Sequence, residues 1–263
     1  MNSKTQATPK REKGELLFER YLRETGHAGA DHLEPDLGIE TNPDYEISKG
    51  GATAIAEVKE FADGKLHRRL NDPKGNRVFN AGDREQFGDV RKKVSEAARQ
   101  LKPLKDSGLP LVVVITNPNN IFVPLGDIDV RAAIYGMPAI GGELDPELNQ
   151  IVNMRPIPGK NGRLTNDHQY ISAVVVLGMG SYRGDARQEW LDANEVRLGA
   201  TYGDDMSAKY AEVFEALQSI TAPEGEYVYA RVFHMESDEA VPLPPELFDG
   251  PHDVHHYLSR QPA

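Results

Sequence analysis

Gly50-Gly51, in the stretch "NPDYEISKGGATAIAEVKEF" at residues 42–61, is flanked by two short runs of alternating apolar and polar residues. A Gly-Gly pair is favoured in a two-residue type I′ hairpin turn, which needs positive φ at both central positions. The runs at 43–48 and 53–60 then read as antiparallel strands, with Lys49 paired to Ala52. Counting outward from that pair puts Asp44 opposite Glu57, with Cβ atoms about 4.5–5.5 Å apart. Side chains alternate between the faces of a strand. Pro43, Tyr45, Ile47, Ala54, Ala56 and Val58 therefore share one face, and Asp44, Glu46, Ile55, Glu57 and Lys59 the other.

Two carboxylates held that close repel one another unless a positive charge lies between them. A divalent ion meets that need better than a single lysine does. The same pattern also fits a hairpin with one wet side, on which Asp, Glu and Lys make weak surface pairs. The hairpin taken alone leaves both readings open.

The rest of the chain narrows the choice. At 263 residues and 39% hydrophobic content it is long enough to bury a substantial core, and one elaborated domain is expected. No apolar run approaches 18 residues and the start, "MNSKTQATPKREKG", lacks a signal-peptide pattern, so a soluble cytoplasmic protein with no membrane association is expected. Cysteine is absent, which excludes disulfides and thiolate zinc sites; a metal would have to be held by carboxylates, histidines or carbonyls. The formal net charge of −11 argues mildly against nucleic-acid binding, yet residues 65–105 carry 12 Lys or Arg against 5 Asp or Glu. Such a local block suits a phosphate backbone. Its candidate contacts are Lys65, Arg68, Arg69, Lys74, Arg77, Arg91 and Lys92, and the alternative is a solvated loop and helix face.

Periodicity supplies the remaining elements. Residues 1–12 read as a disordered tail. "GELLFERYLRETG" is a first helix with Leu17, Tyr21 and Leu22 near one stripe, Glu15 and Glu19 on a shared face, and Gly26 as its stop. A basic connection over 62–83 precedes a second helix at 84–104, whose apolar stripe is Phe87, Val90, Val94, Ala97, Ala98 and Leu101 and whose exposed side carries Arg91, Lys92, Lys93 and Arg99. "LPLVVVITN" (109–117) and "YISAVVVLG" (170–178) are continuous apolar runs suited to interior strands. A short helix is expected at 126–136, residues 138–168 are rich in Pro, Gly and Asn and offer no clear element, and helices at 185–197 and 204–219 and a strand at 226–234 are expected. The proline-rich C-terminal stretch is expected to pack along the body without a regular element. "GMGSYRG" does not fit G-x-G-x-x-G and reads as a strand-to-helix turn, and "HDVHH" offers His252 and His256 at a metal-pair spacing but no third ligand, so it reads as solvated tail.

The order helix, hairpin, helix, buried strand, with Pro43-Asp44 on one strand of the hairpin and Glu57-Val58-Lys59 on the next, resembles the core of the PD-(D/E)XK nuclease superfamily. The segment "KGELLFERYLRETG" is similar to the first helix of archaeal Holliday junction resolvases. The resemblance spans residues 13–117. It implies an α/β protein with a restriction endonuclease-like core, a central mixed β-sheet flanked by helices, and a C-terminal α/β elaboration over 118–263 that belongs to the same domain or forms a small accessory region. It also implies an Mg²⁺-dependent endonuclease, with Mn²⁺ able to substitute, acting on DNA in restriction or anti-phage defence. In that comparison Asp44 and Glu57 are the primary metal ligands, Glu19 binds directly or through water, and Lys59 orients the attacking water. Glu15 and Gln100 stand behind them. A homodimer or a partner protein of a defence system is the implied assembly. Two alternatives remain: a catalytically silent nucleic-acid-binding or assembly protein that keeps the fold, and an RNA-directed nuclease.

Overall fold

The computed structural model describes residues 12–28, 43–61, 88–118, 125–136, 138–145, 150–158, 167–235 and 237–257. The tail expected at 1–12, save Glu12, and the basic connection at 62–83 lie outside these residues. In chain order the elements are α1 (Lys13–Glu24), β1 (Tyr45–Lys49), β2 (Ala52–Glu60), α2 (Gly88–Leu101), β3 (Leu111–Thr116), α3 (Asp127–Tyr135), β4 (Pro138–Asp145), β5 (Gln150–Pro158), β6 (Ala173–Ser181), α4 (Tyr182–Tyr202), α5 (Met206–Ser219), β7 (Glu226–His234) and β8 (Val254–His256).

The turn glycines set the register of the hairpin. Gly50 and Gly51 have φ of 60° and 90°, Lys49 pairs with Ala52, and Tyr45 pairs with Ala56. β3 then runs parallel to β2, from Ile55 opposite Leu111 to Glu60 opposite Thr116, and β6 runs parallel to β3. The result is an α/β fold with a six-stranded mixed sheet in the order β1-β2-β3-β6-β7-β8.

Helices cover both faces of β2 and β3. On one face Ile55, Leu111, Val113 and Ile115 join Val90, Val94, Ala97, Ala98 and Leu101 of α2 in the main core, which α3 closes with Val130, Ala133 and Ile134. These are the α2 positions the 3.6-residue period selects. On the other face lies α1, its Phe18 ring edge-on to Tyr45 with centroids 5.1 Å apart. Gly26, just past the end of α1, has φ of 75°, as a helix stop requires.

Gly14 is what lets α1 come so close to the sheet. A Cβ there would lie 2.4 Å from Thr116 Oγ1 and 2.9 Å from Glu60 Cβ, and the Gly14 N–H donates to Glu60 Oε2 at 2.7 Å. Gly14→Ala is expected to destabilise the protein by about 1–3 kcal/mol through overpacking. Urea denaturation would show it; an unchanged midpoint would mean that α1 can slide without cost.

Three elements differ from expectation. The stretch at 138–168 holds an antiparallel ladder, β4 with β5, whose prolines sit near its ends, Pro138 opposite Pro158 and Pro156 opposite Ile140. Prolines at the margins of a two-stranded ladder leave the central pairs intact, and composition alone hides this. The C-terminal stretch adds β8, parallel to β7, after a short 3₁₀ turn at Pro245–Phe248. Asp253 anchors it, accepting from Tyr21 Oη at 2.6 Å and from the Ala230 N–H at 2.7 Å. The "HDVHH" residues are therefore neither a helical pair nor a solvated tail: His255 Nε2 lies 2.7 Å from the Phe248 carbonyl and His256 stacks on Phe233.

Gly178–Tyr229 forms a second compact unit. In it α4 and α5 are capped by Ser181 and Asp205 and joined by an Arg197–Glu212 ion pair of 2.6 Å. The glycines of "GMGSYRG" seat tyrosines: a Cβ at Gly178 or Gly180 would lie within 2.5 Å of the Tyr229 or Tyr227 ring. Packing against those rings accounts for Gly178 and Gly180, as the strand-to-helix reading requires. No described helix is long and apolar enough to cross a membrane.

Candidate functional site

β1 begins at Tyr45, opposite Ala56, so the end of β2 from Glu57 to Glu60 runs past its partner. Asp44, the residue just before β1, closes part of that open edge: its Oδ2 accepts the Val58 N–H at 2.8 Å. The same bond fixes the carboxylate of Asp44 near that of Glu57.

Glu57 is fully buried, at 0% exposure. At Glu57 the charged side of the hairpin is therefore enclosed, whereas Asp44, Glu46 and Lys59 on the same face stay part-exposed. Lys59 Nζ donates to Glu57 Oε1 at 2.6 Å, whereas Oε2 is buried and has no hydrogen-bond partner among the described residues. Leaving a buried carboxylate oxygen unmatched is costly. Burial, followed by the Asp44 carboxylate, pushes the Glu57 carboxyl up to about 7, and Lys59 pulls the other way.

A cavity of ≈ 590 Å³ opens beside this pair. One wall comes from Glu12 and Glu15 of the α1 start, Asp44, and Val58, Lys59 and Glu60 of β2; the other is Lys93, Glu96, Arg99 and Gln100 of α2. Asp44, Lys59, Glu15 and Gln100 thus line one cavity, whereas Glu57 is not among the lining residues and lies buried beneath Lys59. Glu15 is also part of the helix cap, its Oε2 accepting the Glu12 N–H at 2.9 Å. Glu19 is buried and does not line the cavity; its Oε1 accepts from Tyr45 Oη at 3.2 Å. Burial first, then the Glu19 carboxylate, raises the Tyr45 phenol far above its ordinary range, so it stays a donor.

The basic residues divide. Arg91 donates to the Ala133 carbonyl at 3.2 Å, toward α3, and Lys92 is exposed and does not line the cavity, with Glu96 4.0 Å away. Lys65, Arg68, Arg69, Lys74 and Arg77 lie outside the described residues. Lys93, Glu96 and Arg99 were not singled out as site residues from the sequence. Their signal is phase: with Gln100 they occupy the helix face next to the apolar stripe of α2.

Among the described residues no three His, Asp or Glu side chains converge as a metal-binding set. The donors that do meet are two carboxylates, one with an unmatched buried oxygen. Hard oxygen donors of that kind fit a hard divalent cation that keeps most of its water. No family model, curated protein or solved structure matches the chain.

Proposed function

We propose that this chain is a divalent-cation-dependent endonuclease with a restriction endonuclease-like core, hydrolysing phosphodiester bonds in DNA and serving restriction or defence against foreign DNA. The observation that carries the reading is Glu57, buried with one free carboxylate oxygen between Asp44 and Lys59 beside an open cavity. The order α1, β1–β2 hairpin, α2, and β3 parallel to β2 supports it, since that is the order of the resembled core.

Asp44 and Glu57 would hold Mg²⁺ or Mn²⁺, with Glu15 facing the same cavity. When bound, such an ion withdraws charge from a phosphate oxygen and makes a water more acidic. The protein's own groups supply the rest. Asp44 is held rigid by the Val58 amide, so its carboxylate is pre-aimed. Lys59, anchored on Glu57 and partly open to the cavity, is placed to orient a water and to offset negative charge developing on the phosphoryl group. Glu57 must shed its proton to act as a ligand, and Lys59 makes that easier.

The test is cleavage of supercoiled plasmid, linear duplex, single-stranded DNA and RNA with Mg²⁺ or Mn²⁺. Cation-dependent cutting of DNA that falls at least about 10²-fold in Asp44→Ala is expected. Preferential cutting of RNA would reassign the substrate. Absence of both cutting and Mn²⁺ binding in the wild-type protein would sink the reading.

A further inference from the structure

We infer that the α2 wall of the cavity is a phosphate-binding subsite, in which Lys93 and Arg99 hold the backbone of the nucleic-acid strand, with Gln100 on the same wall. The inference rests on the nuclease reading above and goes further by placing the strand. The walls of the cavity differ in charge balance: the α2 wall sets Lys93 and Arg99 against Glu96, and the other sets four carboxylates against Lys59. Glu12, Glu15, Asp44 and Glu60 line one side, and the cations other than Lys59 all come from α2. Away from the cation that Asp44 and Glu57 would hold and from Lys59, the first wall repels a polyanion and the second attracts it, so the phosphates flanking the one that is cut belong along α2.

The state of these side chains agrees. Arg99 makes no ion pair among the described residues: its Nε donates to the Ser95 carbonyl of its own helix at 3.1 Å, which leaves the rest of an exposed guanidinium open to a ligand. A guanidinium binds a phosphate with two parallel hydrogen bonds. Lys93 is paired with Glu96 at 3.7 Å, a long, part-exposed contact that a phosphate can displace at little cost. Arg91, by contrast, is spent on the Ala133 carbonyl. The useful charge of α2 is therefore the cavity face, not the whole basic run.

The experiment is steady-state cleavage by the full chain with Mn²⁺ at several salt concentrations, with Mn²⁺ affinity measured by calorimetry on each variant. Arg99→Ala should raise KM about tenfold with a smaller effect on kcat and without weakening Mn²⁺ binding. Lys93→Ala combined with Arg99→Ala should make the dependence of log KM on log salt shallower by about two. Arg99→Lys should recover the slope but not the full affinity, because it restores charge without the fork. Lys105→Ala, an exposed cation beyond the end of α2, serves as the control. An unchanged slope in the double variant, a loss confined to kcat, or an equal change in Lys105→Ala would overturn the subsite while leaving the nuclease reading intact. A wild-type protein that neither binds Mn²⁺ nor cuts would overturn both, and that result is visible before any variant is made.

Discussion

Glu57→Gln is expected to make the cation-free protein more stable at about pH 8 while abolishing its response to Mn²⁺. The folded-state carboxyl is raised from 4.5 to about 7, chiefly by burial and then by Asp44. The stability this group contributes is therefore fully present below about pH 4.5 and is lost as pH rises through about 7, where the folded protein must carry a buried carboxylate. A difference of about 2.5 pH units corresponds to a ceiling of roughly 3 kcal/mol. The amide would leave an N–H where Oε2 now lacks a partner and would weaken the Lys59 contact, so a gain of about 1–2 kcal/mol is the expected net. Mn²⁺ at about 100 times its Kd should raise wild-type stability by roughly 2.7 kcal/mol and leave the variant unmoved. Urea midpoints across about pH 5 to 8, with and without Mn²⁺, read both effects. A variant less stable than wild type at pH 8, or equally responsive to Mn²⁺, would make Glu57 a structural partner of Lys59 and remove it from the site.

That trade of stability for an unmatched oxygen could not be read from the sequence, although the position of Glu57 could. Gly50-Gly51 set the register by a local rule, so the neighbourhood of Asp44 and Glu57 was legible from turn chemistry alone. Burial depends on what covers the strand, and nothing within residues 42–61 announces that α2 will. The choice between a wet face and an enclosed Glu57 needed the tertiary fold.

The same limit explains the basic block. Arg91, Lys92, Lys93 and Arg99 look equivalent as a run of charge, and the site reading favoured the first two. Only their phase against Val90, Val94, Ala97 and Leu101, together with the position of α3, separates Arg91, turned to the Ala133 carbonyl, from Lys93 and Arg99 at the cavity. Phe18 was missed in the first helix for a related reason. Leu17, which helical spacing puts on the apolar stripe, is only half-buried, while Phe18 is fully buried against Tyr45. Neighbouring apolar residues differ by 100° around a helix, and the sequence gives no independent origin for the angle. β8 is short and depends on β7 and Asp253 rather than on its own residues, so it left no signature in the proline-rich stretch.

Lys59→Met should lower turnover by about 10²–10³-fold at saturating Mn²⁺, and its pH dependence distinguishes two ways in which a lysine could matter here. Lys59 lowers the Glu57 carboxyl through its hydrogen bond and its charge. Removing it leaves only the Asp44 backbone amide to oppose burial and the Asp44 carboxylate, so Glu57 holds its proton to higher pH and Mn²⁺ binds less well near neutrality. If that were the whole effect, activity should return at about pH 9 with excess Mn²⁺, because Glu57 would then be ionised without help. A lysine that orients water and offsets charge on the phosphoryl group is missed at every pH, since neither raised pH nor added cation replaces an ammonium donor at that point. The expected result is therefore recovery of Mn²⁺ binding at high pH without recovery of turnover. Full recovery of both would confine Lys59 to setting the ionisation of Glu57 and would leave the attacking water to be positioned by another group at the cavity, of which Glu15 and Gln100 are the polar side chains in place.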